Sequence, residues 1–393
     1  MRGPARRVVV LTLLTAIAAA AAETAVAAAD RFVPTDPHFI VANVRQAEPD
    51  AALRALIERW RAAPTDEAAS VALAEGFLER ARRLREPMFV GRAEAVLAAV
   101  VSRASASTTQ QRLYAETLQY RHNFSAAEAL LGMVLRSAPA DAAARAQRAS
   151  LRLVRGDFDG ARADCAHLLA GGGEGQAIAL ACLAQVHAAS NRLDQGRAML
   201  AAYPAPPARE AALRAYWLTV RGELFERAGE PDRAIADYGA ALALEPQNDS
   251  IRATLADALL ARGEPHDARE LLNIERPGLA LLVRRAACTS GAERETLRAQ
   301  AAAWLALEVA RGDSIHAREA ALLALDGGDA VAALTSAQAN FRVQKELADV
   351  RLLARAAMAA HDRRARQQLV EWLRSTGYRD AVTEKILDAA ASG

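Results

Sequence analysis

Apolar and small residues recur along this chain in runs of helical length, divided by short polar strings that stop one helix and start the next. The strings share a form: His122-Asn123-Phe124-Ser125-Ala126-Ala127, Gly156-Asp157-Phe158-Asp159-Gly160-Ala161, Gly229-Glu230-Pro231-Asp232-Arg233-Ala234 and Gly263-Glu264-Pro265-His266-Asp267-Ala268. Each holds a helix stop, a capping carboxylate, amide or hydroxyl, and an alanine that opens the following helix. Ala127 to Ala161 and Ala234 to Ala268 are each 34 residues. Paired helices with that pitch are expected over 108–141, 142–175, 177–208, 215–248 and 249–278, with a divergent unit at 67–101. Pro204-Ala205-Pro206-Pro207 breaks the register between two units. Downstream, 279–311 reads as helical but out of register. Gly328-Asp329 with Ala333, then Ala360, Ala365 and Leu369, restore the period up to a last helix near Ala381–Ala390.

A 34-residue period with these slots resembles the tetratricopeptide repeat (TPR). Unit 215–248 carries the resemblance in Gly222, Phe225, Ala234, Tyr238 and Pro246, while Leu218 stands for the usual tryptophan and Arg221 for the usual leucine. Gly222 and Ala234 are small where the two helices touch, and larger residues wedge around that contact. Unit 142–175 places Arg148 and Arg152 in slots expected to be apolar, and His187 fills an aromatic slot in the next. The resemblance implies an all-α fold, an α-solenoid of stacked helix-turn-helix repeats, and an elongated array. The expected organisation is a signal peptide at 1–29, an N-terminal segment and capping helix at 30–66, a TPR array at 67–278, a degenerate helical repeat at 279–311, and TPR-like repeats with a capping helix at 312–393. More narrowly, Phe32-Val33-Pro34, Gly312-Asp313-Ser314-Ile315-His316, Asn340-Phe341 and 348–353 resemble a group of exported bacterial TPR proteins of unassigned activity.

Composition narrows the picture. The 393 residues are 52% hydrophobic and only 5% aromatic, rich in alanine and poor in β-formers, which favours helix. Lys345 and Lys385 are the two lysines among 49 basic residues, the mark of a GC-rich genome. Arg2, Arg6 and Arg7 precede an apolar run from Val8 to Ala22 and then small residues, the order of a secretory signal peptide. Cleavage is expected near Ala29, with Ala22 and Ala27 as alternatives, giving a periplasmic or secreted protein. The net charge of +2 resides in that leader, so the mature chain is near neutral and offers no general attraction for nucleic acid. No later stretch is long and apolar enough to span a bilayer.

The sequence contains no phosphate-binding, zinc-protease, nucleophile-elbow or paired-cysteine motif, and its glycine run, Gly171-Gly172-Gly173-Glu174-Gly175, follows a helix and lacks a lysine. No cofactor, metal or catalytic residue is expected. Cys165 and Cys182, 17 residues apart, lie on neighbouring helices within bridging reach; with Cys288 they are read as buried free thiols. Arg145, Arg148, Arg152 and Arg155 form a stripe read as aliphatic stems on alanine with heads in water. In the resembled family the first helix of each unit lines a concave, protein-binding face. The corresponding positions are Arg112, Glu116, Gln119 and Tyr120 in unit 108–141, Tyr216, Thr219, Glu223, Glu226 and Arg227 in unit 215–248, and Asp257. Thr219 and Glu223 replace the lysine and asparagine of the family's carboxylate clamp. The resulting expectation is an exported adaptor that holds a protein or peptide in its groove. The alternatives are an assembly scaffold using its convex face and a helical-superhelix cell-wall enzyme.

Overall fold

The computed structural model describes residues 51–84, 88–103, 106–172, 175–311 and 316–388, all within one compact unit that begins at Ala51. The leader, Phe32-Val33-Pro34, Gly173-Glu174, residues 312–315 and the chain beyond Asp388 lie outside them. Every described element is helical. Helix α1 (Ala51–Ala62) precedes nine hairpins: α2 (Glu67–Leu84) with α3 (Met88–Val101), α4 (Thr108–Tyr120) with α5 (Phe124–Ser137), α6 (Ala142–Arg155) with α7 (Phe158–Gly171), and α8 (Gln176–Ala189) with α9 (Leu193–Ala202). Next come α10 (Ala211–Arg227) with α11 (Pro231–Leu244), α12 (Asp249–Arg262) with α13 (Pro265–Leu271), and α14 (Leu279–Ala287) with α15 (Gly291–Arg311). The last two hairpins are α16 (Ala317–Asp326) with α17 (Ala330–Val343) and α18 (Leu347–Ala359) with α19 (Arg363–Thr376), and α20 (Ala381–Asp388) follows them.

The punctuation strings make the hairpin turns. A left-handed residue sits at His122, Gly156, Asn191, Gly229, Gly263, Gly328 and His361, so one backbone solution is reused at nearly every turn. Asn123, Asp157, Asp329 and Asp362 cap the helices that follow by accepting from backbone amides. Glu230 and Glu264 make no such cap bond; Pro231 and Pro265 at the first helical position instead preset the helical φ and leave one fewer amide to satisfy.

Small residues let each pair close. Ala127, Ala161, Ala234, Ala268 and Ala333 are fully buried. At Gly222 a Cβ would come within 2.6 Å of the Tyr238 ring, so glycine is what allows α10 and α11 to touch. His187 is half-buried at the end of α8, its Nδ1 without a hydrogen-bond partner among the described residues; burial lowers its pKa and favours the neutral ring.

Three expectations are corrected. The arginine stripe of α6 does not leave its heads in water. Asp164 on α7 accepts from Arg148 at 2.9 and 2.6 Å, from Arg152 at 2.8 Å and from Arg145 at 3.4 Å, and Glu128 on α5 takes Arg152 and Arg155. Asp164 is only 2% exposed, and a carboxylate that deep needs cations beside it. Cys165 and Cys182 are joined in a disulfide, because α7 and α8 pack with their Cα atoms 6.0 Å apart around Ala149 and Leu183. Cys288 stays a free thiol.

The third correction concerns the array. The superhelix of the described unit returns to itself instead of continuing outward. Phe158 on α7 meets Trp372 of α19 and Tyr378, each with ring centroids 6.4 Å apart, and Phe341 packs edge-on to Trp372 at 5.1 Å. One apolar core runs through Phe158, Val186, Leu334, Leu353 and Leu369. Lys345 donates its backbone amide to Val154 O at 2.7 Å, beside Gly156, whose φ of +79° favours glycine and where a Cβ would come within 2.8 Å of the Lys345 Cδ. Arg227 donates to Arg379 O at 3.1 Å and lies 4.4 Å over the Tyr378 ring.

Candidate functional site

The first helices of successive hairpins face inward, and together they wall a cavity of about 590 Å³. Thr219, Glu223 and Glu226 reach it from α10, one turn apart each, with Tyr238 of α11 behind them. Ser250, Thr254 and Asp257 repeat that spacing on α12, Val283 and Arg284 come from α14, and Arg318, Leu322 and Asp326 from α16. Glu346, Arg351 and Arg355 line the opposite wall at α18, and Val382 and Ile386 of α20 complete it. This wall exists because the superhelix closes, bringing α18 against α10.

Most of the lining charges are locked to one another. Arg284, 5% exposed, grips Asp257 through Nε at 2.8 Å and Nη2 at 2.7 Å, and also donates to Ala280 O. Arg318 grips Asp349 at 2.7 and 2.9 Å and also pairs with Glu346. Arg351 grips Asp380 at 2.9 and 2.7 Å and pairs with Glu226, which in turn accepts from the Tyr238 hydroxyl at 2.8 Å. Burial would raise the Asp380 carboxyl, but the Arg351 guanidinium outweighs it and holds the pKa below the usual range. Asp380 also caps α20 through Thr383 N at 2.9 Å. Two-pronged pairs of this kind fix the inner helices relative to one another.

Glu223 differs. Gln185 of α8 donates to it at 3.0 Å, and Tyr216 donates to the same amide's oxygen at 3.1 Å. Burial pushes the Glu223 carboxyl up to about 7, a rise opposed by the Gln185 hydrogen bond and by Arg227 and reinforced by Glu346 and Glu226.

The ten groove positions expected from sequence therefore divide. Thr219, Glu223, Glu226 and Asp257 come together on the cavity. Tyr216 stands behind Glu223 rather than in the open, its hydroxyl spent on Gln185. Arg227 is turned away, buried at 8% exposure under Tyr378. On α4, Glu116 accepts from Arg82 at 2.9 Å, Tyr120 is 40% exposed, and Arg112 and Gln119 are half-buried; none of these four lines the cavity. Sequence reasoning missed Arg284, Arg318 and Arg351. Their signal was present: they follow one another at 34 and 33 residues, the repeat pitch itself.

Among the described residues no helix is long and apolar enough to cross a membrane. A tetratricopeptide-repeat family model matches residues 226–274, the segment from the end of α10 through α12 and α13. No curated protein matches the chain. Among solved structures, a thermophilic TPR protein of Thermus thermophilus is 22% identical, covering 51% of this chain and 99% of its own at a TM-score of 0.37. A tetratricopeptide repeat protein of Parabacteroides merdae is 13% identical, covering 72% and 98% at a TM-score of 0.38. Such repeats generally build protein-binding adaptors rather than enzymes. The helix pairs, their 34-residue pitch and the match over 226–274 support a tetratricopeptide-repeat solenoid, with the family model itself seated on residues 226–274.

Proposed function

We propose that this chain is an exported adaptor that holds a protein or peptide partner in the cavity walled by its inner helices. The observation that carries the reading is the convergence of polar and charged side chains from α10, α12, α14, α16 and α18 on one space of about 590 Å³, within the range of ligand sites. The basic, apolar and small-residue order of residues 1–29 supports export, and the Cys165–Cys182 disulfide suits an oxidising compartment. The closure of the superhelix favours a short segment or chain end over a long peptide laid along an open groove. Thr254→Trp places an indole in the cavity. It is expected to abolish capture of the partner from envelope extract while leaving the circular dichroism unchanged; capture equal to wild type refutes the reading.

A second reading has its own observation. On α15, Trp304 and Leu307 are 38% and 49% exposed one turn apart, an outward apolar pair that suits a scaffold assembling through its convex side. Loss of capture in Trp304→Ser with Leu307→Ser, but not in Thr254→Trp, favours that scaffold.

A further inference from the structure

The charges of the cavity pair off. Asp257 takes Arg284, Glu226 takes Arg351, Glu346 takes Arg318, and Asp326 takes Arg294 and Arg298, each at 2.6 Å. Glu223 is the carboxylate left over. Among the described residues no cation lies within ion-pair distance of it, and its hydrogen bond is from a neutral amide. The nearest cation on its own helix, Arg227, is committed to Arg379 O and to the Tyr378 ring. Arg355, which also lines the cavity without an ion pair among the described residues, is exposed, so its charge is screened by solvent and carries no comparable cost. The half-buried carboxylate is the group with an unmet requirement, because a charge removed from water without a counter-charge is costly.

Gln185 makes Glu223 an acceptor of fixed orientation. Its amide oxygen is occupied by the Tyr216 hydroxyl, so its NH₂ group points at Glu223. One carboxylate oxygen is then engaged, and the other is left for whatever enters the cavity. Resting on the adaptor reading above, we infer that the cavity takes a basic side chain of the partner, a lysine ammonium or arginine guanidinium, with Glu223 as its counter-charge. The arrangement works as a socket: the pairs around it hold the walls, and the bound cation completes the one pair the protein does not make for itself. Its selectivity comes from the same source. An anion or a neutral side chain would leave Glu223 uncompensated, and an anion would also face Glu226 and Glu346 nearby.

The test is fluorescence anisotropy with labelled tetralysine, its fully Nε-acetylated form and tetraglutamate. Tetralysine is expected to bind and the other two not. Glu223→Gln keeps the shape and the contact with Gln185, and it is expected to weaken tetralysine at least tenfold. Thr219→Lys sets an ammonium one turn from Glu223 and is expected to do the same by completing the pair from within. Competition by spermidine separates the sources: displacement means that the ammonium alone suffices, and failure to displace means that the peptide backbone is read as well. Absence of tetralysine binding to wild type, equal binding of the acetylated peptide, or binding unchanged in both variants overturns the inference. If Thr254→Trp abolishes partner capture while Glu223→Gln retains it, the cation inference fails and the adaptor reading stands. If Glu223→Gln loses tetralysine while Thr254→Trp captures the partner in full, Glu223 is a cation site but the adaptor reading fails, and the assignment of that cation to the partner fails with it.

Discussion

Arg221 on α10 and Asp237 on α11 meet in a two-pronged ion pair, Nε to Oδ2 at 2.7 Å and Nη2 to Oδ1 at 2.6 Å, and Arg148 and Asp164 repeat it at the same separation of 16 residues. A hydrophobic slot of the repeat has been exchanged for a charge together with its partner. The two copies differ in depth. Asp164 is 3% exposed in its side chain and serves three arginines, whereas Arg221 is 38% exposed. Asp164→Ala is therefore expected to cost about 3–5 kcal/mol, by leaving the half-buried Arg145 and Arg148 guanidiniums without a carboxylate. Asp237→Ala is expected to cost roughly 1 kcal/mol, since solvent screens its partner. Urea unfolding of both variants checks the order; equal losses would show that depth does not govern these pairs.

Glycine at 222 and glycine at 239 should respond in opposite ways to the same added methyl. At Gly222 the methyl meets the Tyr238 ring at 2.6 Å, whereas at Gly239 no atom lies within 4 Å. Gly222→Ala is expected to destabilise by about 1–3 kcal/mol through overpacking. Gly239→Ala is expected to stabilise by roughly 0.5–1 kcal/mol, because it stiffens the interior of α11. Thermal unfolding by circular dichroism reads both.

Glu223 should make stability depend on pH in the direction opposite to an ordinary paired carboxylate. Its folded pKa of about 7 lies above the unfolded value, so the folded state binds the proton more tightly. That contribution is fully present below about pH 4.3 and is lost as pH rises through 7. Gln185 on α8 holds it by a hydrogen bond, and the charges that act on it through space are Arg227, Glu346 and Glu226. Glu223→Gln, which cannot ionise, is expected to gain on the order of 2–3 kcal/mol relative to wild type between pH 5 and pH 8. Denaturant unfolding at both values decides; a constant difference between the two proteins would place the carboxyl at its ordinary pKa.

Reduction should weaken the middle of the array. The Cys165–Cys182 bridge closes 17 residues across the loop between α7 and α8. A loop of that size restrains the unfolded chain by about 3 kcal/mol in the chain-entropy account. Cys165→Ser with Cys182→Ser is expected to lose about that much, and a thiol reductant should lower the melting temperature of wild type but not of the double variant.

The turns, the buried alanines and the Gly222 contact were legible because they are local: each is written in a few adjacent residues and repeated at a fixed pitch. Thr219, Glu223, Glu226 and Asp257 could be placed on the inner face for the same reason, since they flank the packing slots of their own helices. Arg227 and Tyr216 could not be placed correctly by that logic. What covers Arg227 is Tyr378, and what orients Tyr216 is Gln185 on the preceding hairpin. The opposite wall of the cavity depends on the pitch and curvature accumulated over several repeats, which no short window contains. The Arg–Asp exchanges were visible as arginines in apolar slots, but only the partner helix shows that Asp164 and Asp237 complete them.

A repeat array is ordinarily a one-dimensional system: each unit touches its neighbours, and unfolding creeps in from the ends. The aromatic seam of Phe158, Trp372 and Tyr378, with the Lys345–Val154 backbone bond beside it, changes that boundary condition. The last hairpin no longer frays independently, because releasing it also uncovers the apolar surface of α7. Long-range contacts of this kind raise the entropic barrier to closure during folding and couple distant units once it is crossed. The described unit should therefore melt as one cooperative transition with uniformly protected amides in α6–α8 and α18–α19, behaving as a ring rather than as a chain of semi-independent links.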